Sequence, residues 1–416
     1  MNDTTRFFSP CQHWRIWLLL AVPFLLPFSR SAEAPMLIGA VCGLVAIARH
    51  RIDWRAPVVR LVLVLFAAYW LPELLSAFDS RAQEKTWQET AIDLRFLPFL
   101  LFATTAVRNP REASLLTGGI AAIVALWCVD ALVQATTGFS IGGAATSDRL
   151  SGIFGADDLK LGGALAVLSP FALIWCARRG GMTLALLAAL PVAIVILLAG
   201  ARASWVGFAL GTALVLWHGF GTRRALPAFG IFLLAAALAG AIGYHASERF
   251  AHRVDRTAAA FAGDETALDH ALSGRLPIWA TALRMVEAHP INGVGVRGFR
   301  YAYPDYAAAD DPWVDLTLHQ GALHAHQIVL EVASETGFIG LIAWFAAAVF
   351  AIRFWRSTPP QNRESALPAA FSLIVMLFPF NTHYAMYSAV WGLLLMAMLA
   401  VWLALLAAND DAEFAA

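Results

Sequence analysis

Apolar stretches broken by short polar turns run through nearly the whole chain, and only residues 244–324 form a long polar segment. A helix crossing ~30 Å of hydrocarbon at ~1.5 Å per residue needs about 20 apolar residues. Runs approaching that length lie at 14–29, 35–48, 57–78, 94–107, 114–136, 160–177, 182–200, 203–219, 225–243, 325–352, 365–380 and 384–407. The pattern predicts an all-α polytopic membrane protein of about twelve transmembrane helices, with 35–48 and 94–107 the shortest. It divides the chain into helices one to nine (1–243), a large and partly helical loop (244–324), and helices ten to twelve with a short tail (325–416). The first run follows Arg6 and Arg15 like a signal peptide but lacks a persuasive small-x-small cleavage site, so it is read as a retained helix.

Within the polar segment, Arg249–Phe261 has apolar residues at helical spacing. Ser273 can cap a helix running from Leu276 to Glu287, with Pro277 in its first turn and Pro290 ending it. A glycine-rich turn, Asn292 to Arg300, follows, and Asp310-Asp311-Pro312 marks a further break.

Composition agrees with the bilayer assignment: 59% of the 416 residues are hydrophobic and only 14% charged, with a mean hydropathy of +0.65. One soluble core cannot hide so much apolar surface. A formal net charge of zero, without a basic tail, gives nucleic acid no purchase. Cys11, Cys42, Cys128 and Cys176 sit in or beside apolar segments with no Cys-x-x-Cys pair, which argues against disulfides or zinc. With both termini cytoplasmic, inner connections carry fifteen arginines, while the short outer loops hold only Arg30, Arg81, Lys85, Arg95, Arg149, Lys160 and Arg202. The positive-inside rule therefore turns 244–324 outward. In a bacterial inner membrane that face is the periplasm, which has no ATP pool, so chemistry there needs a donor already activated.

Chemistry-bearing residues gather at this wet edge. His324-x-His326 precedes the tenth run, and a helix dipole's positive end would keep the His326 ring neutral, as a general base requires. Such histidines also cap helices or meet headgroups. Glu331 and Glu335, one turn apart inside that run, must be paired or protonated: a proton relay or, more simply, a structural lock to another helix. Gly337 and Gly340 would let a neighbouring helix approach. Arg202, in the tight turn Ala199-Gly-Ala-Arg-Ala-Ser204, is placed to grip diphosphate oxygens with its planar fork, or else snorkels beside headgroups. Arg275 in Ser273-Gly-Arg-Leu-Pro-Ile-Trp279, together with the turn Gly293-Val-Gly-Val-Arg297-Gly298, suits a phosphate, and Trp279 reads as packing. Lys85, Arg95 and Lys160 would add positive potential or anchor helices. No histidine stands at metal-ligand spacing from Asp157-Asp158 or Asp310-Asp311, so no metal site is expected.

These residues, in this order, resemble the O-antigen ligase and polymerase family of membrane glycosyltransferases. The likeness rests on some twelve helices, one large loop before the tenth, and a histidine followed after ten residues by glycine, here His326 to Gly337. It rests also on Arg202 before a helix, Arg275 with Trp279, and Gly293, Gly295 and Phe299 after them. Gln327 stands where the family often has Asn, and Ala201 where Ser commonly precedes the arginine. The resemblance implies an undecaprenyl diphosphate-linked glycan donor and a lipid A-core sugar hydroxyl as acceptor, joined with inversion, without a cofactor or metal. His326 would be the base and Arg202 and Arg275 the diphosphate ligands, with His324, Lys85, Arg95 and Arg297 in support. The chain's short C-terminal end is similar to the ligases rather than to protein-directed transferases, and a polymerase shares the same motifs. A transporter would instead place ionisable groups near the midplane in repeated halves, whereas here they crowd one edge.

Overall fold

The computed structural model describes residues 13–144, 149–156, 158–246, 251, 255 and 272–408. Nearly all of the expected helical piece Arg249–Phe261 lies outside the described residues, as do Cys11 and Asp157. The chain is an all-α polytopic membrane protein. Among the described residues, eight helices are long and apolar enough to span a bilayer.

In chain order the helices are α1 (Trp14–Leu25), α2 (Glu33–Ala48), α3 (Pro57–Ala77), α4 (Gln83–Asp93), α5 (Phe96–Thr104), α6 (Pro110–Thr137), α7 (Lys160–Ala199), α8 (Arg202–Phe220) and α9 (Thr222–Ala246). After the polar segment begins come α10 (Leu276–Ala288), α11 (Phe299–Tyr306), α12 (Ile328–Ser357), α13 (Pro360–Leu377) and α14 (Ala389–Ala407). A two-residue hairpin pairs Phe139–Ser140 with Gly143–Ala144.

Every apolar run read from the sequence coincides with a helix, but not every one is a full crossing. The runs 160–177 and 182–200 are the two helical segments of α7, which meet where Gly180 and Gly181 leave helical geometry. The run 94–107 yields only the nine residues of α5, seven of them buried. A short apolar run reads alike whether it crosses lipid or fills a bundle. α14 lies at the centre, 83% of its apolar window buried. An evenly apolar helix with no polar face can be covered on all sides.

The element that organises the loop side is α12, which breaks at Gly337 (φ 65°, ψ −163°). Residues 290–295 insert their backbone there. Phe338 and Ile339 donate their amides to Pro290 O (2.8 Å) and Ile291 O (3.2 Å), while Ser334 O and Glu335 O accept from Val294 N (2.8 Å) and Gly295 N (3.0 Å). Amides and carbonyls released by the break thus find new partners, as a buried backbone demands. Gly337 was expected to admit a neighbouring helix; it admits a loop, because a Cβ there would sit 2.2 Å from Ile291 O. Gly293 is equally confined, with Glu335 C only 2.4 Å from where its Cβ would be.

The acidic pair on α12 also binds loops rather than another helix. Glu331 accepts from Met386 N (2.9 Å) and Tyr387 N (3.3 Å), and Glu335 Oε2 from Arg297 N (2.9 Å). On the loop side a second small core forms around Ile278, Met285, Phe299 and Tyr303, joining α10 and α11.

Gly337→Ala adds a β-carbon against a carbonyl oxygen and forces a side chain into left-handed geometry. The expected cost is of order 1–3 kcal/mol. A lowered melting temperature of the detergent-solubilised protein would show it, with Gly230→Ala, whose Cβ would meet nothing within 4 Å, as the control.

Candidate functional site

Three helix starts converge on the loop side: α8 with Arg202 as its first residue, α10 with Arg275 at its N-cap, and α12 two residues after His326. Ser273 was read as the cap of α10. Instead it takes a left-handed conformation (φ 64°), and its hydroxyl accepts a hydrogen bond from Arg202 Nη2 at 2.9 Å. That bond ties the α8 arginine to the turn that carries Arg275. Burial, and then the charge of Arg202, lower the Arg275 pKa, so the two guanidinium groups share one neighbourhood.

His326 is itself held in left-handed geometry (φ 51°), a conformation uncommon outside glycine and often kept for a reason. Its ring lies against His324, centroids 4.0 Å apart and planes at 47°. Burial and the Arg275 charge lower the His326 pKa to about 4. Burial, followed by the charges of His326, Arg297, Arg275 and His383, takes His324 to about 3. Both rings are therefore neutral near pH 7. Nε2 of His324 is sealed from solvent with no hydrogen-bond partner, whereas neither His326 nitrogen is sealed in this way. Both ring nitrogens of His326 are thus open to an incoming hydroxyl, against one at most on His324.

The structure adds a third imidazole that sequence reasoning missed. His383 lies between α13 and α14, its ring against Gly163, Tyr384 and Trp391. Its Nε2 is also sealed and unpartnered. Burial, then Arg275 and His326, lower its pKa to about 4. Its loop is fastened to the start of α12 next to the other histidines. Gln327 caps that helix through Leu330 N (2.6 Å) and donates to Pro379 O (2.7 Å), and Ile328 N bonds Asn381 O (3.2 Å). One side chain thus joins the cap of α12 to the loop that carries His383. His383 lies far along the chain in an otherwise apolar stretch, and only its being a histidine at a predicted helix end could have flagged it.

The supporting cations divide. Lys85 and Arg297 converge on Glu89, at 3.0 Å and 3.3 Å. Arg95 lies over the Phe96 ring, and its charge acts on Asp93. These groups form a separate cluster on α4, which Arg297 links to His324 electrostatically. Lys160 pairs with Asp158. The expectation that the glycine-rich turn cradles a phosphate is corrected: the amides from Gly293 to Gly298 are all spent on protein acceptors. The anion that Arg297 N meets is the side chain of Glu335.

Trp279, one turn into α10, is half-buried. No group of three or more metal-ligating side chains occurs among the described residues. Beside the His383 loop opens an apolar cavity of about 760 Å³, lined at one end by Phe378, Pro379 and Met386 and at the other by Arg363 and Glu364.

Residues 183–345 match the family described as O-Antigen ligase. The match covers less than half of the chain but contains Arg202, Arg275, His324, His326 and Gly337, while His383 falls outside it. The domain is shared by O-antigen ligases and polymerases, membrane enzymes that transfer lipid-linked glycans. No curated protein matches the chain.

The neutral imidazoles link stability to pH. Below about 6.5 the unfolded chain binds protons at these positions that the folded one refuses until about 4. Stability attributable to them is therefore full above pH 6.5 and declines as pH falls toward 4. Replacing His383 by Gln removes one such site, so the melting temperature of that variant should fall less between pH 7 and pH 5 than that of the wild type. An unchanged slope would show that the ring is not kept neutral.

Proposed function

We propose that the chain transfers a glycan from a polyprenyl diphosphate carrier to a sugar hydroxyl on an outward-facing membrane surface, the periplasmic face of a bacterial inner membrane. The observation that carries this reading is the meeting of a neutral, accessible imidazole with two guanidinium groups that reach the site from separate helices. A departing diphosphate needs fixed positive charge, and an attacking hydroxyl needs a base. The apolar cavity beside the site suits the tail of a lipid-linked substrate.

In this mechanism the diphosphate oxygens lie on Arg202 and Arg275. His326 takes the acceptor's hydroxyl proton as its oxygen bonds to the anomeric carbon, and the bond from that carbon to the diphosphate breaks. The electron pair leaves with the phosphate oxygen, and attack from the opposite face inverts the centre. Diphosphate on Arg275 also offsets the charge that lowers the basicity of His326, so the base strengthens when the donor is in place. Of the reactions this chemistry serves, we favour ligation of O-antigen from undecaprenyl diphosphate onto lipid A-core, completing lipopolysaccharide. What supports that choice is the description of the family that residues 183–345 match, O-Antigen ligase, a domain that polymerases share.

Reconstitution with lipid-linked O-antigen and rough lipopolysaccharide tests the reading directly. His326→Ala should lose at least ~10²-fold in transfer while remaining in the membrane. Arg202→Lys should lose ~10²-fold or more, because a point charge cannot copy a planar fork. Activity should withstand chelators. Wild-type rates in both variants would remove the proposed roles, and product formed only on a growing glycan would make the enzyme a polymerase.

A further inference from the structure

The turn that presents Arg275 is fixed by two contacts. Ser273 and Gly274 both have positive φ (64° and 71°), and the strain is held by Arg202 on the Ser273 hydroxyl and by the indole N–H of Trp313 on Gly274 O at 2.6 Å. Trp313 is in turn anchored from behind. Its backbone amide donates to Asp311 Oδ1 (2.9 Å), and Asp311 Oδ2 accepts from the hydroxyl of the fully buried Tyr303 (2.9 Å). Backbone and indole edge are thus both immobilised, yet 39% of the residue remains exposed.

A tryptophan that only filled space would be covered. One that is locked at its polar edge while much of its surface stays exposed is a preorganised apolar platform, and little entropy is lost when a ligand lies on it. The ring abuts Gly274, whose Cβ would be 3.5 Å from it, and Gly274 separates the residue bonded to Arg202 from Arg275. A sugar joined to a diphosphate on those two arginines begins one bond from the phosphate, beside this platform. The C–H-rich face of a pyranose is the ligand surface that matches it.

We propose that the exposed part of the Trp313 ring is the binding surface for the pyranose ring attached directly to the carrier diphosphate. The proposal rests on the glycan-transfer reading and assigns a sugar subsite that His326, Arg202 and Arg275 do not supply. It also separates Trp313 from Trp279, which follows Arg275 inside α10 and stays half-buried.

The test uses the full-length reconstituted protein with two probes: a polyprenyl diphosphate carrying a short oligosaccharide, and the same polyprenyl diphosphate without sugar. Trp313→Ala should raise the donor KM about tenfold, with kcat within about twofold, and leave binding of the sugar-free probe unchanged. Trp313→Phe keeps a ring but loses the bond to Gly274, and should recover most of the donor affinity. Equal losses in both variants, or an equal loss of sugar-free binding, would reduce Trp313 to a brace for the arginine turn and overturn the subsite. His326→Ala and Arg202→Lys, measured alongside, report on the transfer reading independently. If both remain active while Trp313→Ala loses affinity only for the sugar-bearing probe, the subsite stands and the transfer mechanism falls.

Discussion

A helix interrupted inside an apolar bundle releases amides and carbonyls that lipid cannot satisfy, and the architecture on the loop side follows from how this chain resolves that demand at Gly337. Residues 290–295 take up the freed groups on both sides of the break. The same insertion fixes the segment that leads through Arg297 to α11, and through it the small core that carries the loop back to His324. Four directional backbone bonds thus join the polar domain to the membrane bundle, where apolar burial alone would leave its orientation free.

Electrostatics at the site are built from opposing choices. Arg202 and Arg275 bring positive charge together, and the histidines beside them are kept uncharged by burial and by Arg275. The carboxylates nearby serve other ends: Glu89 holds Lys85 and Arg297, and Glu331 holds the amides of the His383 loop.

Much of this was legible in the sequence. Hydrophobic period and length located every apolar helix, and the rare polar residues at one edge, Arg202, Arg275, His324 and His326, are brought into one neighbourhood. What pattern could not reveal were contacts distant in sequence and set by backbone. Gly337 reads as a packing glycine whether a helix or a loop approaches it, and Gly293 to Gly298 read as an anion cradle until their amides are found bonded to α12, to α3 and to neighbouring loop carbonyls. Ser273 has the spacing of a cap, yet positive φ turns it toward Arg202. His383 carries no motif, because its place depends on Asn381, Gln327 and Glu331, which are polar anchors spread over two segments.

The fastening of residues 379–387 to the first turns of α12 has a mechanical corollary. His324 and His326 lead directly into the short helical segment between Gln327 and the break, and the loop that carries His383 is bonded to that same segment, whereas the guanidinium groups belong to the starts of α8 and α10. Because residues 290–295 are bonded on both sides of the break at Gly337, that segment and the imidazoles attached to it share one fixed footing with the polar loop.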